Sequence, residues 1–415
     1  MTDSLGVAVI GAGIVGVSTA LWLARDGQRV TLIDPVPPGD PDQASYGNAG
    51  LLARSSVVQI PTPGFLRHVP SMLMGRDGPL FMRWRHLPRL LPWLLPFVRS
   101  AREEKVRATA SALAYLLGDA VEQHEALARG TGAERYLRRG DWTFLYPSRA
   151  SFAKDAFGFG LRREHGFAWE ERDRDALVER DPALGEAYGF GAAMTDHGWI
   201  TDPGRYVAAL AEEARRLGVE VVAEAAGGVT PHEGGATVAL PSGARRFDRV
   251  VVSSGAWSRR IAEGLGHRVP LEAERGYHLV LKGAQVPLSP YMMADAKVAV
   301  TPMDGGLRLA GLVELASLDA PGRDAPVALL RRRAKRLYPQ LRWDAEESWM
   351  GRRPSTTDSL PMIGPSPKAP SVLLAFGAQH VGLTSGAKTG RLVADLVAGR
   401  RPNEDIAAFS PSRFD

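Results

Sequence analysis

The stretch from Val7 to Asp34, VAVIGAGIVGVSTALWLARDGQRVTLID, constrains this chain more than any other. Val7–Ile10 is a short apolar run of strand type, Gly11, Gly13 and Gly16 follow in G-x-G-x-x-G spacing, and a helical pattern opens at Ile14 and Val15. A second run of strand type, Arg29–Ile33, ends on Asp34, eighteen residues after Gly16. One glycine lets the strand turn sharply into the helix, the next lets a pyrophosphate approach the backbone, and the third lets helix and strand pack closely. The helix N-terminus then offers unpaired N–H groups and the positive end of its dipole to phosphates. A carboxylate at Asp34 is spaced to accept hydrogen bonds from both hydroxyls of an unphosphorylated ribose, which favours FAD or NAD over NADP. Such a triplet occurs by chance in a chain with 45 glycines. The ordered strand, helix, second strand and terminal acid separate a dinucleotide-binding unit from a bare tight turn.

At 415 residues the chain exceeds one typical domain, so two are expected. Its apolar fraction of 45% and charged fraction of 23% are those of an ordinary globular protein. With only six residues before Val7, no targeting segment is expected, and the expected location is the cytoplasm or the periphery of the inner membrane face. The net charge of +5 is spread among 51 basic and 46 acidic residues. The one basic run, Arg331–Arg333 with Lys335 and Arg336, reads as a solvated helix face, so no nucleic-acid partner is expected. The chain has no cysteine, which excludes disulfides, iron–sulfur clusters, zinc thiolates and a flavin tethered through sulfur. No metal site is expected.

Gln43–Leu52, QASYGNAGLL, is a small, polar loop in which Ser45, Asn48, Ala49, Gly50 and Leu51 are candidates to meet a cofactor. Pro61–Val98 is rich in proline, tryptophan, leucine and arginine; its longest apolar run, Leu90–Val98, has nine residues and two prolines and cannot span a bilayer. It either packs on a domain as short helices or touches a membrane surface. Arg102–Arg129 and Ser151–Gly166 have helical periodicity, and Gly140–Tyr146 reads as a strand. Thr201–Leu217 reads as a helix with Asp202 at its cap and Pro203 in its first turn. Val219–Ala223 and Arg249–Ser253 are strands of buried type that return to the nucleotide domain. The turn after the second, with Gly255 and Trp257, is a candidate cofactor contact at the sheet's carboxyl edge. Tyr277–Leu281, Val298–Thr301 and Leu307–Leu312 read as an antiparallel sheet, Ala325–Tyr338 as a helix, and Val372–Phe376 with Leu383–Ala398 as a closing strand and helix.

The segments SYGNAG, GLVE (Gly311–Glu314), RRPSTTDSLPMIG and GAQHVGLTSGAKTG, together with the opening, resemble the FAD-dependent D-amino-acid oxidases and dehydrogenases, a family that includes glycine and sarcosine oxidases. The likeness is strongest to bacterial D-amino-acid dehydrogenases and spans most of the chain. It implies an α/β fold: a Rossmann-like FAD-binding domain of residues 1–85, 195–270 and 351–415, and a discontinuous α+β substrate domain, 86–194 and 271–350, built on a mainly antiparallel sheet. It also implies that Gly377, His380, Val381, Gly382, Leu383 and Thr384 lie beneath the flavin ring, with the helix from Leu383 aiming its positive end at the ring's N1–C2 region. Arg353 matches the position that clamps the substrate carboxylate, with Arg352 and Arg275 as competitors; its planar fork suits bidentate pairing. Tyr277 either faces the substrate or is structural, His278 points to the opposite face of its strand, and His380 either touches ring or substrate or is structural. The activity implied is oxidation of the Cα–N bond of a small D-amino acid, or of a cyclic imino acid such as D-proline or a hydroxyproline, by hydride transfer from Cα to flavin N5. A quinone or another non-oxygen acceptor would take the electrons. The alternatives are a glycine/sarcosine-type oxidase using oxygen and a non-catalytic flavoprotein subunit.

Overall fold

A computed structural model of the chain describes residues 4–74, 78–284 and 287–415. Residues 1–3 of the expected nucleotide domain and 75–77 of the proline-rich stretch lie outside the described residues. The strand β1 (Gly6–Ile10), the helix α1 (Ile14–Arg25) and the strand β2 (Arg29–Ile33) form as their sequence dictates, with β1 and β2 parallel from Gly6↔Arg29 to Ile10↔Ile33. They nucleate a six-stranded sheet in the order Met362–Ser366, Ala369–Phe376, Arg249–Val252, β1, β2, Glu220–Val222. Alternate β1 side chains go to opposite faces. Val7 and Val9 meet α1 and the helices Pro203–Arg216 and Gly382–Val397, while Ala8 and Ile10 meet Ala236 and Val238 of a three-stranded antiparallel sheet, 228–247. That small sheet has no counterpart in the sequence reading.

The second sheet has ten strands, antiparallel except where Tyr291–Met293 joins Leu137–Tyr146 and Leu80–Met82 joins Gly306–Leu315. One face is covered by the helix Asp324–Leu337 through Leu329, Leu330 and Leu337. Arg333 of that helix is 8% exposed and Arg336 pairs with Asp295, so the basic run is not one solvated face. The chain passes between the large sheets after Ile33, Ile200, Val252 and Thr356. Leu51–Leu52, Leu80–Met82 and Gly351 belong to the ten-stranded sheet by pairing, although the sequence assigned them to the nucleotide domain.

Two long helical readings are broken. Arg102–Arg129 becomes Glu103–Leu117 and Ala120–Ala128, and Arg54 Nε donates to the Gly118 carbonyl at the break, 2.6 Å. Ser151–Gly166 becomes Arg149–Ala153 and Ala156–Glu164. The proline-rich stretch packs: Leu90, Trp93 and Phe97 of the helix Leu87–Arg99 bury against Leu315, and Trp93 Nε1 donates to the Ser355 carbonyl, 2.9 Å. Pro88 sits in the helix's first turn, and Pro92 and Pro96 lie four residues apart inside it, so the N–H groups the helix lacks fall on one stripe. Trp84, Leu91 and Leu95 of this segment stay 66%, 44% and 55% exposed, an apolar patch on the outer surface. No helix among the described residues is long and apolar enough to cross a membrane.

Candidate active site

A cavity of about 2060 Å³ is lined by residues of both large sheets. That is well above the roughly 300–1,000 Å³ of a site for one small ligand. Its wall includes Gly11, Gly13, Ile14, Val15 and Asp34 from the βαβ unit, Ser45, Asn48, Ala49 and Leu51 from the loop after it, and Gly255 and Trp257. Gly377, His380, Val381, Gly382, Leu383, Thr384, Tyr277 and Arg353 complete the set. Of the expected contacts, Gly16 and Gly50 do not reach the wall. A Cβ on Gly16 would stand 1.8 Å from the Gly11 carbonyl oxygen, so its role is the close packing of helix on strand. Gly50, at φ +79°, turns the chain against the Ile200 carbonyl.

The residues present fit a dinucleotide. Gly11 takes φ +106° with a would-be Cβ 2.6 Å from Ser253 backbone atoms, which the strand-to-helix turn requires. A Cβ at Gly13 would meet only Ser45 Oγ, at 3.3 Å, so the fold itself does not demand a glycine there. What the missing side chain leaves is open wall beside the α1 N-terminus, where no side chain of Gly13 caps the helix and the amide of Ile14 donates to Ser45 Oγ at 2.9 Å. Asp34 is half-buried; it accepts from the amides of Ala12 (2.7 Å) and Val36 (3.0 Å). Burial raises its pKa, and those amides oppose the shift. The carboxylate thus braces the glycine turn and still borders the cavity.

The two ends of the chain meet here. Gly386 and Gly390 of the helix Gly382–Val397 lie against Ile14 and Ser18 of α1, and the uncapped N-terminus of that helix opens on the cavity. Thr384 is a brace rather than a free ligand group: its hydroxyl donates to the Leu51 carbonyl (3.0 Å) and accepts from the Ala53 amide (3.3 Å). Asn48 likewise spends its side-chain oxygen on the Gly50 amide, 2.9 Å. Gln43 and Gln379 line the cavity with Nε2 and Oε1, respectively, buried and without a partner, and the sequence reading passed over both.

The catalytic candidates are sorted by strand register. Leu271–Lys282 pairs with Ala345–Thr356 along its length, matching Glu274 with Arg353, Gly276 with Gly351 and Tyr277 with Met350. Because side chains alternate, Glu274, Gly276, His278 and Arg353 share one face and Arg275, Tyr277 and Arg352 the other. The guanidinium of Arg353 lies across Gly276, where a Cβ would come within 2.3 Å of it, and donates to the carbonyls of Leu312 (2.9 Å) and Gly311 (3.4 Å). Two of its five N–H groups are so engaged.

Tyr277 lines the cavity, but its hydroxyl is engaged within a cluster of charged side chains. Its hydroxyl gives its one proton to Glu314 Oε2 at 2.5 Å and accepts from the Arg323 amide at 3.2 Å; burial, then Glu314, pushes its pKa up to about 12. Arg275 and Arg83 complete this cluster, 3.3 and 2.9 Å from Glu314, which is fully buried. The competitor Arg275 is thereby committed, and Arg352 donates to the Leu318 carbonyl and stacks on Trp257 at 5.6 Å. His278 meets the Gly47 carbonyl and stacks on Trp349 at 5.2 Å; burial, then the charge of Arg308, drops its pKa to about 3. His380 opens on the cavity within a protein surround that lowers its pKa to about 4, burial first and the Arg353 charge second, so it is neutral near pH 7. Glu274, 3% exposed and on the cavity wall, is a charged residue that no sequence motif marks.

A family described as DAO, FAD dependent oxidoreductase, matches residues 6–396 of the chain. A D-amino-acid oxidase of Bradyrhizobium diazoefficiens is 41% identical over 100% of both sequences. A D-amino acid dehydrogenase of Phenylobacterium zucineum is 28% identical over 97% of this chain and 96% of its own length. Among solved structures, a glycine oxidase of Geobacillus kaustophilus superposes with a TM-score of 0.75 at 23% identity, covering 99% of each chain, which bears on the fold.

Proposed function

The chain belongs to the DAO family of FAD-dependent oxidoreductases, and from that premise we propose that it oxidises the Cα–N bond of a small D-amino acid or cyclic imino acid. The observation that carries this reading is Arg353, a guanidinium on the wall of the same cavity as the Gly11–Gly16 turn and the Gly377–Thr384 turn, with N–H groups left to grip a carboxylate. Bound FAD would supply the two-electron oxidant. Gly11, Gly13, Asp34 and Ser45 would hold its adenosine diphosphate half, and Gly377 to Gly382 would border its ring. Arg353 fixes the carboxylate and thereby the direction of the Cα–H bond, so that orientation supplies much of the rate. The amine must be neutral when the Cα–H bond breaks, and the imine formed is released to water.

For the acceptor, an apolar extension of the cavity lined by Phe65, Leu66, Val69, Leu73 and Leu94, beside the exposed patch of Trp84, Leu91 and Leu95, supports a lipophilic non-oxygen acceptor such as a quinone, reached from the cytoplasm or at the inner membrane face. A second reading, direct use of oxygen, is favoured by the 41% identity to a relative named as an oxidase. Hydrogen peroxide counted against imine formed separates the two. The test of the whole reading is an anaerobic screen of D- and L-amino acids, proline derivatives and N-methyl glycines, read as loss of the yellow flavin absorbance. Bleaching by D-amino or imino acids is expected. A flavin that none of them reduces would leave a non-catalytic FAD-binding subunit.

A further inference from the structure

One charged group on the cavity wall has no part in the reading above. Glu274 is 3% exposed, lines the cavity and is the direct cross-strand partner of Arg353. Two opposite charges so matched would ordinarily close into an ion pair. Here the guanidinium slants away over Gly276 and takes main-chain carbonyls of 311 and 312 instead, and among the described residues no carboxylate bonds to it. Gly276 makes this possible, since any side chain there would collide with the guanidinium. A guanidinium and a carboxyl group therefore stand side by side on one wall, within each other's field but with no bond between them, and the complement of that pattern is a zwitterion.

Resting on Arg353 as the carboxylate anchor, we propose that Glu274 faces the substrate's ammonium group and takes from it the proton that must leave before oxidation. One N–H bond breaks, its electron pair stays on nitrogen, and one O–H bond forms on the Glu274 carboxylate; nothing is oxidised in this step. Burial raises the pKa of Glu274, with Arg353 opposing, which makes it a better acceptor than an ordinary carboxylate. The charged groups that act on it are Arg353 on the neighbouring strand and Glu272 on its own; the latter has His86 Nε2 3.3 Å from its Oε1. His380 stands on the same cavity wall, where the Arg353 charge disfavours its protonation.

Glu274→Gln in the FAD-loaded protein tests this through two readouts. In anaerobic calorimetry, the affinity for 2-aminoisobutyrate, a zwitterion with no Cα–H to lose, should fall at least about tenfold. Isobutyrate, the same skeleton without the amine, should bind as well as or better than before. In stopped-flow bleaching, the variant's rate at pH 7 should drop by about 10²–10⁴. It should then recover about tenfold per pH unit toward the amine's own range, whereas the parent's profile stays flatter. A variant with the parent's affinity ratio and a parallel pH profile would overturn the proposal, and so would equal weakening of both ligands, which marks a packing role. Should the variant lose FAD, Glu274→Asp, which keeps the acceptor, is read the same way and should restore the parent's profile shape. A parent that binds neither ligand refutes Arg353 as the anchor, whereas a parent that binds both and is matched by the variant refutes only Glu274.

Discussion

Replacing Gly390 by alanine sets two physical effects against each other. In a helix interior the change removes backbone freedom from the unfolded chain and should stabilise by about 1 kcal/mol. At Gly390, however, the new Cβ would stand 2.6 Å from Ser18 Cβ and 2.7 Å from the Ser18 carbonyl carbon and the Thr19 nitrogen, backbone that cannot rotate aside. Restoring ordinary contact requires α1 and the Gly382–Val397 helix to part by roughly 1 Å, and a gap of that size forfeits a quarter to a half of the dispersion well for each atom pair along the seam. Overpacking of this kind costs about 1–3 kcal/mol, so the net expectation is destabilisation by about 1–2 kcal/mol. Gly160 is the control: it lies in the helix Ala156–Glu164 with nothing within 4 Å of its would-be Cβ, and Gly160→Ala should stabilise by about 1 kcal/mol. Urea unfolding midpoints, read with the FAD-to-protein ratio, should move in opposite directions for the two variants, and Gly390→Ala should also bind less FAD because the seam sets the distance between the two cofactor turns. A Gly390→Ala protein as stable as Gly160→Ala would refute the packing argument.

Arg353→Ala should weaken carboxylate ligands by about 2 kcal/mol or more with FAD content unchanged, checked by calorimetry with isobutyrate; unaltered affinity would remove Arg353 from the site. Asp34→Ala should lower FAD occupancy, measured by absorbance after dialysis, since it frees the Ala12 and Val36 amides as well as removing the expected ribose contact. Tyr277→Phe should cost about 1–3 kcal/mol of stability by leaving the buried Glu314 one partner short, while ligand affinity stays put; a large loss of affinity would return Tyr277 to the substrate. His124 is fully buried between the Tyr206 hydroxyl and the Leu383 carbonyl, and burial lowers its pKa to about 4 from 6.5. The folded state thus binds fewer protons, so this contribution is whole above about pH 6.5 and is lost as pH falls toward 4, about 3 kcal/mol in all. His124→Gln should flatten the urea midpoint between pH 7 and pH 4.5, and an unchanged slope would count against it.

The βαβ opening was legible because glycine spacing, apolar runs and a terminal acid each specify local backbone, and local backbone is what a sequence states most directly. Strand Ala345–Thr356 was invisible as a strand: AEESWMGRRPST has charges, a glycine and a proline where strands favour branched and aromatic residues. It forms because the 271–282 strand pairs with it throughout, and Pro354 is tolerated since the strand lies at the sheet's edge. The same pairing hid Glu274. Followed by an arginine and isolated from any motif, it reads as a surface residue until the register sets it opposite Arg353. Tyr277 shows the converse. The alternation that sends His278 to the other face also sets Tyr277 and Arg353 on opposite faces, but only through the register of a partner strand that the sequence does not reveal.

The four passages of the chain between its two large sheets have a mechanical consequence. Two lobes stitched together at four seams cannot swing apart like jaws about a single hinge, and no one cut in the backbone frees either as a self-sufficient piece. Whatever exchanges with the interior has to do so past smaller parts, such as the segment 65–98, which contributes Phe65, Leu73 and Leu94 to the cavity wall. Limited digestion should accordingly nick the protein without halving it.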